Sequence, residues 1–167
     1  MGQGHNFQKF KAAILAQSIS QDWDEAKAEW ELHMVYHDGT DRSCECGHQP
    51  IHQICMIKNR DNANELEVGN VCVNKFMRLF SNRIFAVLKR VEAEPTKSLN
   101  PSALELFRRR GVIDDNEEQD YLAYWRKRIN MTNEQRAQKA DINRRVLAYV
   151  VSESARLAAK FRAAGLI

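Results

Sequence analysis

Cysteines are the residues best suited to chemistry in this chain of 167 residues, which has four of them. Cys44 and Cys46 are separated by one residue and followed by Gly47, so a tight turn presents two thiolates on one side. Cys72 stands at the predicted start of a helix, where free N–H groups and the helix dipole favour a thiolate. Structural zinc takes four tetrahedral Cys or His ligands. The pattern therefore predicts a zinc site that includes Cys44, Cys46 and Cys72.

The fourth ligand has three candidates near the segment Cys44–His48, which we call the knuckle. The predicted hairpin pairs Cys55 with Val68, and Cys72 follows Val68 by four residues. At about 3.3 Å per strand residue, Cys55 then lies on the order of 10 Å from Cys72. Alternate side chains of an extended segment point the same way, which puts His48 beside the knuckle cysteines. We predict His48 as the fourth ligand, with His52 second and Cys55 third, and we expect Cys55 to be a buried thiol.

A closed site of this kind favours a structural role, without catalysis. A zinc-bearing hairpin followed by a helix is also compatible with a metal-dependent nuclease, in which a histidine activates water and an asparagine orients it. The residues available for those roles are His33, His37, His52, Asn70 and Asn74. None of them forms a recognisable His-His or His-Asn pair at a strand end, so a zinc-dependent nuclease is the lesser alternative.

The elements that must position the cysteines follow the order helix, helix, strand, knuckle, hairpin, helix. Hydrophobic spacing and capping residues predict these elements at 5–17, after Ser20 or Asp22, and at 29–37, 44–48, 51–68 and 71–77. Asp38-Gly39 supplies the positive φ that a tight reversal needs, so a turn is predicted over 37–41. A knuckle at one end of a hairpin, with a cysteine at the following helix start, is the plan of a treble-clef module.

All segments after Met77 are predicted to be helical. Caps or helix-favouring acids occur at Asn100, at Asp114 to Asp120 and at Thr132, and the last helix runs to about Ala164. The expected fold class is therefore α+β, with an N-terminal helical pair, a small zinc-bearing hairpin and a C-terminal helical array. We expect residues 1–77 and 78–167 to pack as one domain.

Charge divides unevenly between these two parts. Residues 1–77 have 7 Lys and Arg against 11 Asp and Glu, a balance of −4, whereas residues 78–167 have 18 against 11, a balance of +7. A basic helical region suits phosphate groups, so we predict nucleic-acid binding. The predicted contact residues are Arg126, Lys127, Arg128, Arg144 and Arg145. On a helical wheel Arg144 and Arg145 point in different directions, so these charges do not form one stripe.

The final helix supports a different hypothesis. Its apolar face could dock a host protein, which the chain would capture or inhibit, or a second copy of the chain in a homodimer. That face is predicted to contain Ile142, Val146, Val150, Leu157 and Phe161.

Composition limits the remaining classes. With 44% hydrophobic and 28% charged residues, the chain has the usage of a globular protein. The longest apolar run near the N-terminus is Ala12–Ala16, which is too short for a secretory segment, and no stretch is long enough to span a bilayer. We therefore expect a cytoplasmic protein that does not contact a membrane.

Several motifs between Trp23 and Phe76 are distinctive. They are Glu29-Trp30, Cys44-x-Cys46-Gly47-His48, Ile57-x-Asn59 and Leu66-x-Val68-Gly69-x-x-Cys72-Val73-x-x-Phe76. Together they resemble a family of small, functionally uncharacterised proteins encoded by phages and bacterial mobile elements. Thr132-x-x-Gln135 followed by Ile142-Asn143 is similar to the helical tail of that family. The resemblance implies a mobile-element origin and a shared zinc-ribbon-like fold, and it implies no activity.

Overall fold

The computed structural model describes residues 4–165, which divide into two compact units. The first unit extends to Asn82 and includes the chain from Phe161, and the second is Arg83–Lys160. The boundary predicted after Met77 lies within the first unit, shortly before Asn82. The first unit contains helices α1 (His5–Ala16) and α2 (Trp23–Ala28), strands β1 (Trp30–Arg42), β2 (Ile51–Asn59) and β3 (Glu65–Gly69), and a short helix α3 (Asn70–Cys72) that continues into a π-helical turn, Val73–Met77.

The three strands form one antiparallel sheet in the order β1-β2-β3. The register between β2 and β3 pairs Lys58 with Glu65 and Cys55 with Val68. This confirms the predicted hairpin pairing. The α+β class is also confirmed, because the sheet is combined with seven α-helices in the described chain.

Strand β1 is longer than predicted, and the prediction of a turn over 37–41 is wrong. The register changes between the pairs His37–Gln53 and Arg42–Ile51, so residues 38–41 of β1 form a bulge opposite a single residue of β2. The physical reason is local. Asp38 accepts hydrogen bonds from the Thr40 N–H at 2.9 Å and the Thr40 hydroxyl at 2.7 Å, which hold Gly39 in a bend within the strand. The chain therefore reverses later, in the knuckle.

Aromatic side chains hold α1 against the π-helical turn. Phe7 packs at a steep angle against Phe76, with ring centroids 5.0 Å apart, and perpendicular to Trp23 at 5.5 Å. Phe10, which is fully buried, lies 5.4 Å from the ring of Phe76. These contacts fix the position of the chain that follows Cys72.

The second part of the chain is helical, as predicted. Its helices are α4 (Ser81–Ala93), α5 (Pro101–Arg109), α6 (Asp115–Tyr124) and α7 (Asn133–Ala163). The predicted caps form: the Asn100 side chain accepts from the Ala103 N–H at 2.9 Å, and Thr132 and Gln135 bond each other's backbone N–H groups at 3.1 Å. No helix among residues 4–165 combines the length and the apolar composition needed to cross a membrane.

The cap of α6 permits a quantitative prediction. Asp114 accepts from the Glu117 N–H at 2.9 Å, and Glu117 accepts from the Asp114 N–H at 3.0 Å, which completes a capping box. Replacing Asp114 with alanine removes the acceptor and should lower the free energy of unfolding by about 1 kcal/mol in urea denaturation. Asp114→Asn keeps an acceptor and serves as the control. Equal losses in both variants would show that the cap contributes nothing.

Candidate metal centre

Three cysteines converge in the first unit. The Sγ atoms of Cys44, Cys46 and Cys72 all lie within 4.8 Å of one another. Cys44 and Cys46 come from the knuckle between β1 and β2, and Cys72 ends α3. All three side chains are buried, and none forms a disulfide. The predicted convergence of these three residues is confirmed.

The knuckle owes its shape to Gly47. Its φ of +87° lies in the left-handed region that side chains other than glycine rarely adopt. The Gly47 N–H donates to the Cys44 carbonyl at 2.8 Å, and the Cys44 N–H donates to the His48 carbonyl at 2.9 Å. A Cβ on Gly47 would lie only 3.3 Å from the Nζ of Lys9, so the Lys9 ammonium lies against the knuckle. The turn thus holds two thiols together beside a positive charge.

Backbone N–H groups point at two of the sulfurs. The His48 N–H donates to the Cys46 Sγ at 3.4 Å, and the Gly69 N–H donates to the Cys44 Sγ at 3.3 Å. Such hydrogen bonds favour the thiolate and orient it toward a metal. The Gly69 contact also joins the end of β3 to the knuckle.

The thiols of Cys44 and Cys72 titrate as a linked pair. A hydrogen bond from Cys72 lowers the pKa of the Cys44 thiol to about 6. The same bond, together with burial and the negative charge on Cys44, raises the pKa of the Cys72 thiol above its usual range. A metal ion has to displace the proton that Cys72 retains, so metal binding releases it.

The donor set fits a soft or borderline metal ion. Tetrahedral zinc with Zn–S bonds of about 2.3 Å requires sulfurs on the order of 3.8 Å apart. The sulfurs already lie within 4.8 Å, so sub-ångström to ångström shifts bring them to bonding positions. Thiolates select zinc, copper(I) or iron–sulfur clusters over magnesium and calcium, which prefer oxygen. The three cysteines are therefore suited to hold a metal ion.

The candidates for the fourth ligand lie outside this three-sulfur group among the described residues. His48 is the last residue of the knuckle, and its side chain is exposed. The Nδ1 of His52 contacts the Asp38 carbonyl oxygen at 3.1 Å, so its ring is engaged with the β1 bulge. Cys55 is fully buried, which raises the pKa of its thiol to about 12, and it behaves as the predicted buried thiol.

Other residues considered for catalysis make structural contacts. The Asn74 side chain donates to Asn70 Oδ1 at 2.8 Å and to Ser81 Oγ at 2.9 Å, and Ser81 donates to Asn70 Oδ1 at 2.5 Å. This network ties α3 to the start of α4. Both asparagine side chains are thus held by hydrogen bonds within this network.

Three of the predicted phosphate contacts lie together in the second unit. Arg126, Lys127 and Arg128 are consecutive and exposed in the connection between α6 and α7. The guanidinium of Arg126 lies over the ring of Trp125, 4.9 Å from its centroid. This short segment is a compact positive surface.

The other two predicted contacts are bound to acidic side chains. Arg144 pairs with Asp141 at 2.5 Å, although it stays 72% exposed. Arg145 pairs with Glu117 and with Asp141 and donates to the Val112 carbonyl at 2.7 Å. Glu117 lies in the first turn of α6, which is 10 residues long, and Arg126 follows the last turn. A helix of that length spans about 15 Å, so Arg145 and the Arg126–Arg128 segment lie at opposite ends of α6.

Two contributors to the metal centre escape sequence analysis. Lys9 comes from α1, far from Cys44 along the chain, and nothing in its local sequence indicates the contact. The sequence indicates the Gly69 N–H contact only weakly, through a glycine that ends a strand directly before the helix that carries Cys72.

No protein-family model, curated protein or solved structure matches this chain.

Proposed function

We propose that Cys44, Cys46 and Cys72 hold a structural zinc ion. The observation that carries this proposal is the convergence of three buried thiols from two separate segments. Iron–sulfur clusters generally take four cysteines, whereas three cysteines and one histidine form a common structural zinc set. The ion ties the knuckle to α3 and so fixes the sheet to the helix that follows it.

We propose His48 as the fourth ligand. Its backbone N–H already bonds the Cys46 sulfur at 3.4 Å, which keeps the residue at the edge of the cluster. Its exposed side chain can change rotamer at little cost, in contrast to the fully buried Cys55. His52 would have to leave the Asp38 carbonyl to bind the ion.

The protein stabilised by this ion acts without catalysis and binds nucleic acid through Arg126, Lys127 and Arg128. Among residues 4–165 no carboxylate forms an ion pair with any of these three, so their charges are available to phosphates. Exposed Arg and Lys side chains attract nucleic acid by releasing counterions. Arg144 is a weaker candidate for a phosphate contact because it pairs with Asp141. Arg145 is not part of the proposed surface because its guanidinium pairs with Glu117 and Asp141.

The salt dependence of binding to a short DNA duplex tests this proposal. Replacing Arg126, Lys127 and Arg128 together with glutamine should weaken binding and reduce the slope of log K against log salt by about 2.7. The matched control replaces Lys11, Lys58 and Arg60 of the first unit with glutamine, which lowers the net charge equally. Equal effects in both variants, or binding that salt does not change, would contradict the proposal.

A further inference from the structure

An open groove in the first unit combines aromatic rings with positive charge. It lies between the start of α1, α2 and the π-helical turn, and its volume is about 490 Å³. This is within the range of about 300–1,000 Å³ that is typical of small-molecule sites. Its aromatic lining is Phe7, Trp23 and Phe76, and its cationic lining is Lys27, Lys75 and Arg78.

The aromatic rings form a fixed platform. Phe7 is buried and packs against both Trp23 and Phe76. Its ring centroid lies 5.5 Å from that of Trp23 and 5.0 Å from that of Phe76. Phe10 also packs against Phe76, with ring centroids 5.4 Å apart. Trp23 and Phe76 remain partly exposed, so ring surface is available to a ligand that stacks. Rings held in this way lose little rotamer freedom when a ligand binds.

Positive charge is concentrated at the same place. Lys75 and Arg78 are exposed, and among the described residues neither has a carboxylate partner. Lys27 pairs with Asp24 at 3.2 Å, but Asp24 is 86% exposed, and such surface pairs contribute little. The ammonium groups of Lys27 and Lys75 lie 5.8 and 5.4 Å from the ring centroids of their aromatic neighbours.

The N-terminus of α1 adds to the positive charge at this groove. Gly4 and Asn6 line the groove, and α1 begins there without a side-chain cap and without an acidic residue in its first turn. The positive end of the helix dipole is thus left without a negative partner from this helix. The contrast with the surrounding sequence is clear, because residues 1–77 have a net charge of −4.

The backbone at this groove is unusual. The chain passes through a π-helical turn, Val73–Met77, and Arg78 then adopts a left-handed φ of +56°. Arginine rarely takes this conformation, and π-helical turns occur often at functional sites. The turn is the feature that brings Phe76 and Arg78 to the same groove.

We propose that this groove binds a nucleotide unit, with its base stacked on Trp23 or Phe76 and its phosphate held by Lys75 and Arg78. The shared chemistry is an aromatic base joined to phosphate, present either in a free mononucleotide or in a single strand. A duplex does not supply it, because its bases are stacked on one another. The groove belongs to the first unit and the Arg126–Arg128 segment to the second, and the groove's ligand goes beyond the function proposed for that segment.

The test uses the full-length protein with two probes, AMP and a fluorescent single-stranded oligonucleotide of ten thymidines. Trp23→Ala should weaken binding about 5- to 150-fold, as expected for the loss of one stacked base. Trp23→Phe keeps a ring and should retain most of the affinity. Because Trp23 also packs against Phe7, the variant with Lys75→Gln and Arg78→Gln provides a second measurement at exposed positions. It should reduce the salt slope for the oligonucleotide by about 1.4.

The control variant with Arg126, Lys127 and Arg128 changed to glutamine separates this site from the proposed function. Its AMP affinity should equal that of the wild type, whatever happens to duplex binding. Binding of AMP, with competition against the oligonucleotide, supports a free nucleotide as the ligand. Binding of the oligonucleotide alone, sensitive to the groove variants, supports a single strand. Binding of neither probe, or binding that the groove variants leave unchanged, overturns the proposal.

Discussion

Replacing Cys72 with alanine is expected to release the metal ion and to remove most of the stability of the first unit. Cys72 is the proposed ligand on α3, so its loss leaves only the two thiols of the knuckle. Structural zinc contributes on the order of 10 kcal/mol to folding in zinc-finger peptides, and whole domains are stable by only about 5–15 kcal/mol. The measurements are zinc content, expected at about one ion per wild-type chain, and thermal unfolding.

Cys55→Ala is the matched control. Cys55 is also a buried cysteine, but its sulfur lies outside the group formed by Cys44, Cys46 and Cys72, so this variant should keep its zinc. A strong chelator should lower the melting temperature of the wild type and of Cys55→Ala, and it should leave Cys72→Ala unchanged. Freshly purified wild type without metal, and with a melting temperature that a chelator does not alter, would contradict the site.

The fourth ligand can be identified in the same assays. His48→Ala should bind zinc more weakly than the wild type, because water or a buffer anion then fills the fourth position. His52→Ala should bind it normally, since the His52 ring contacts the Asp38 carbonyl. If His52→Ala is the weaker variant, the assignment of His48 is wrong.

The convergence of Cys44, Cys46 and Cys72 was predictable because its determinants lie within one hairpin and the segments next to it. The register that pairs Cys55 with Val68 follows from the length of the polar turn between β2 and β3, since each strand residue advances by a fixed distance. Once the register is known, Cys72 lies near the end of the hairpin where the knuckle begins. The helix caps at Asn100 and Thr132 were predictable for the same reason, because each cap involves residues three apart.

Most of the features that sequence analysis missed join residues far apart in the chain. The groove brings Phe7 of α1 to Phe76, and no local pattern indicates that these two rings meet. The bulge in β1 was missed because Asp38-Gly39 favours a turn locally, whereas the structure keeps it within a strand. Arg42, at the end of this bulge, then enters a buried polar network that involves a residue of the distant β3 strand.

That network places a positive charge in the interior of the first unit. The Arg42 side chain is only 3% exposed, as is that of Asp38, and the two pair at 3.0 Å. Arg42 also pairs with Glu67 at 2.5 Å and donates to the Tyr36 hydroxyl at 3.0 Å. Its guanidinium carbon lies 3.3 Å from the ring centroid of Phe161. Each buried charge in this group is stabilised by its partners.

The network should also contribute to the pH dependence of stability. Burial raises the pKa of the Asp38 carboxyl, but hydrogen bonds from Thr40 and Arg42 outweigh it and hold the pKa below its usual value. This stabilisation is present above the pKa of unfolded aspartate, about 3.9, and is lost as the pH falls through the lower folded value.

Replacing Arg42 with alanine should lower the free energy of unfolding by about 3–5 kcal/mol, because it leaves the buried Asp38 carboxylate without its cation and removes the partner of the half-buried Glu67. Urea denaturation at neutral pH measures this loss. Arg144→Ala is the control, since Arg144 also pairs with an aspartate but is 72% exposed, and its loss should cost about 0–1 kcal/mol. Adding Asp38→Asn and Glu67→Gln to Arg42→Met should recover much of the stability, because the unpaired charges are removed together with the arginine. Similar losses for Arg42→Ala and Arg144→Ala would show that the buried pairs contribute no more than a surface pair.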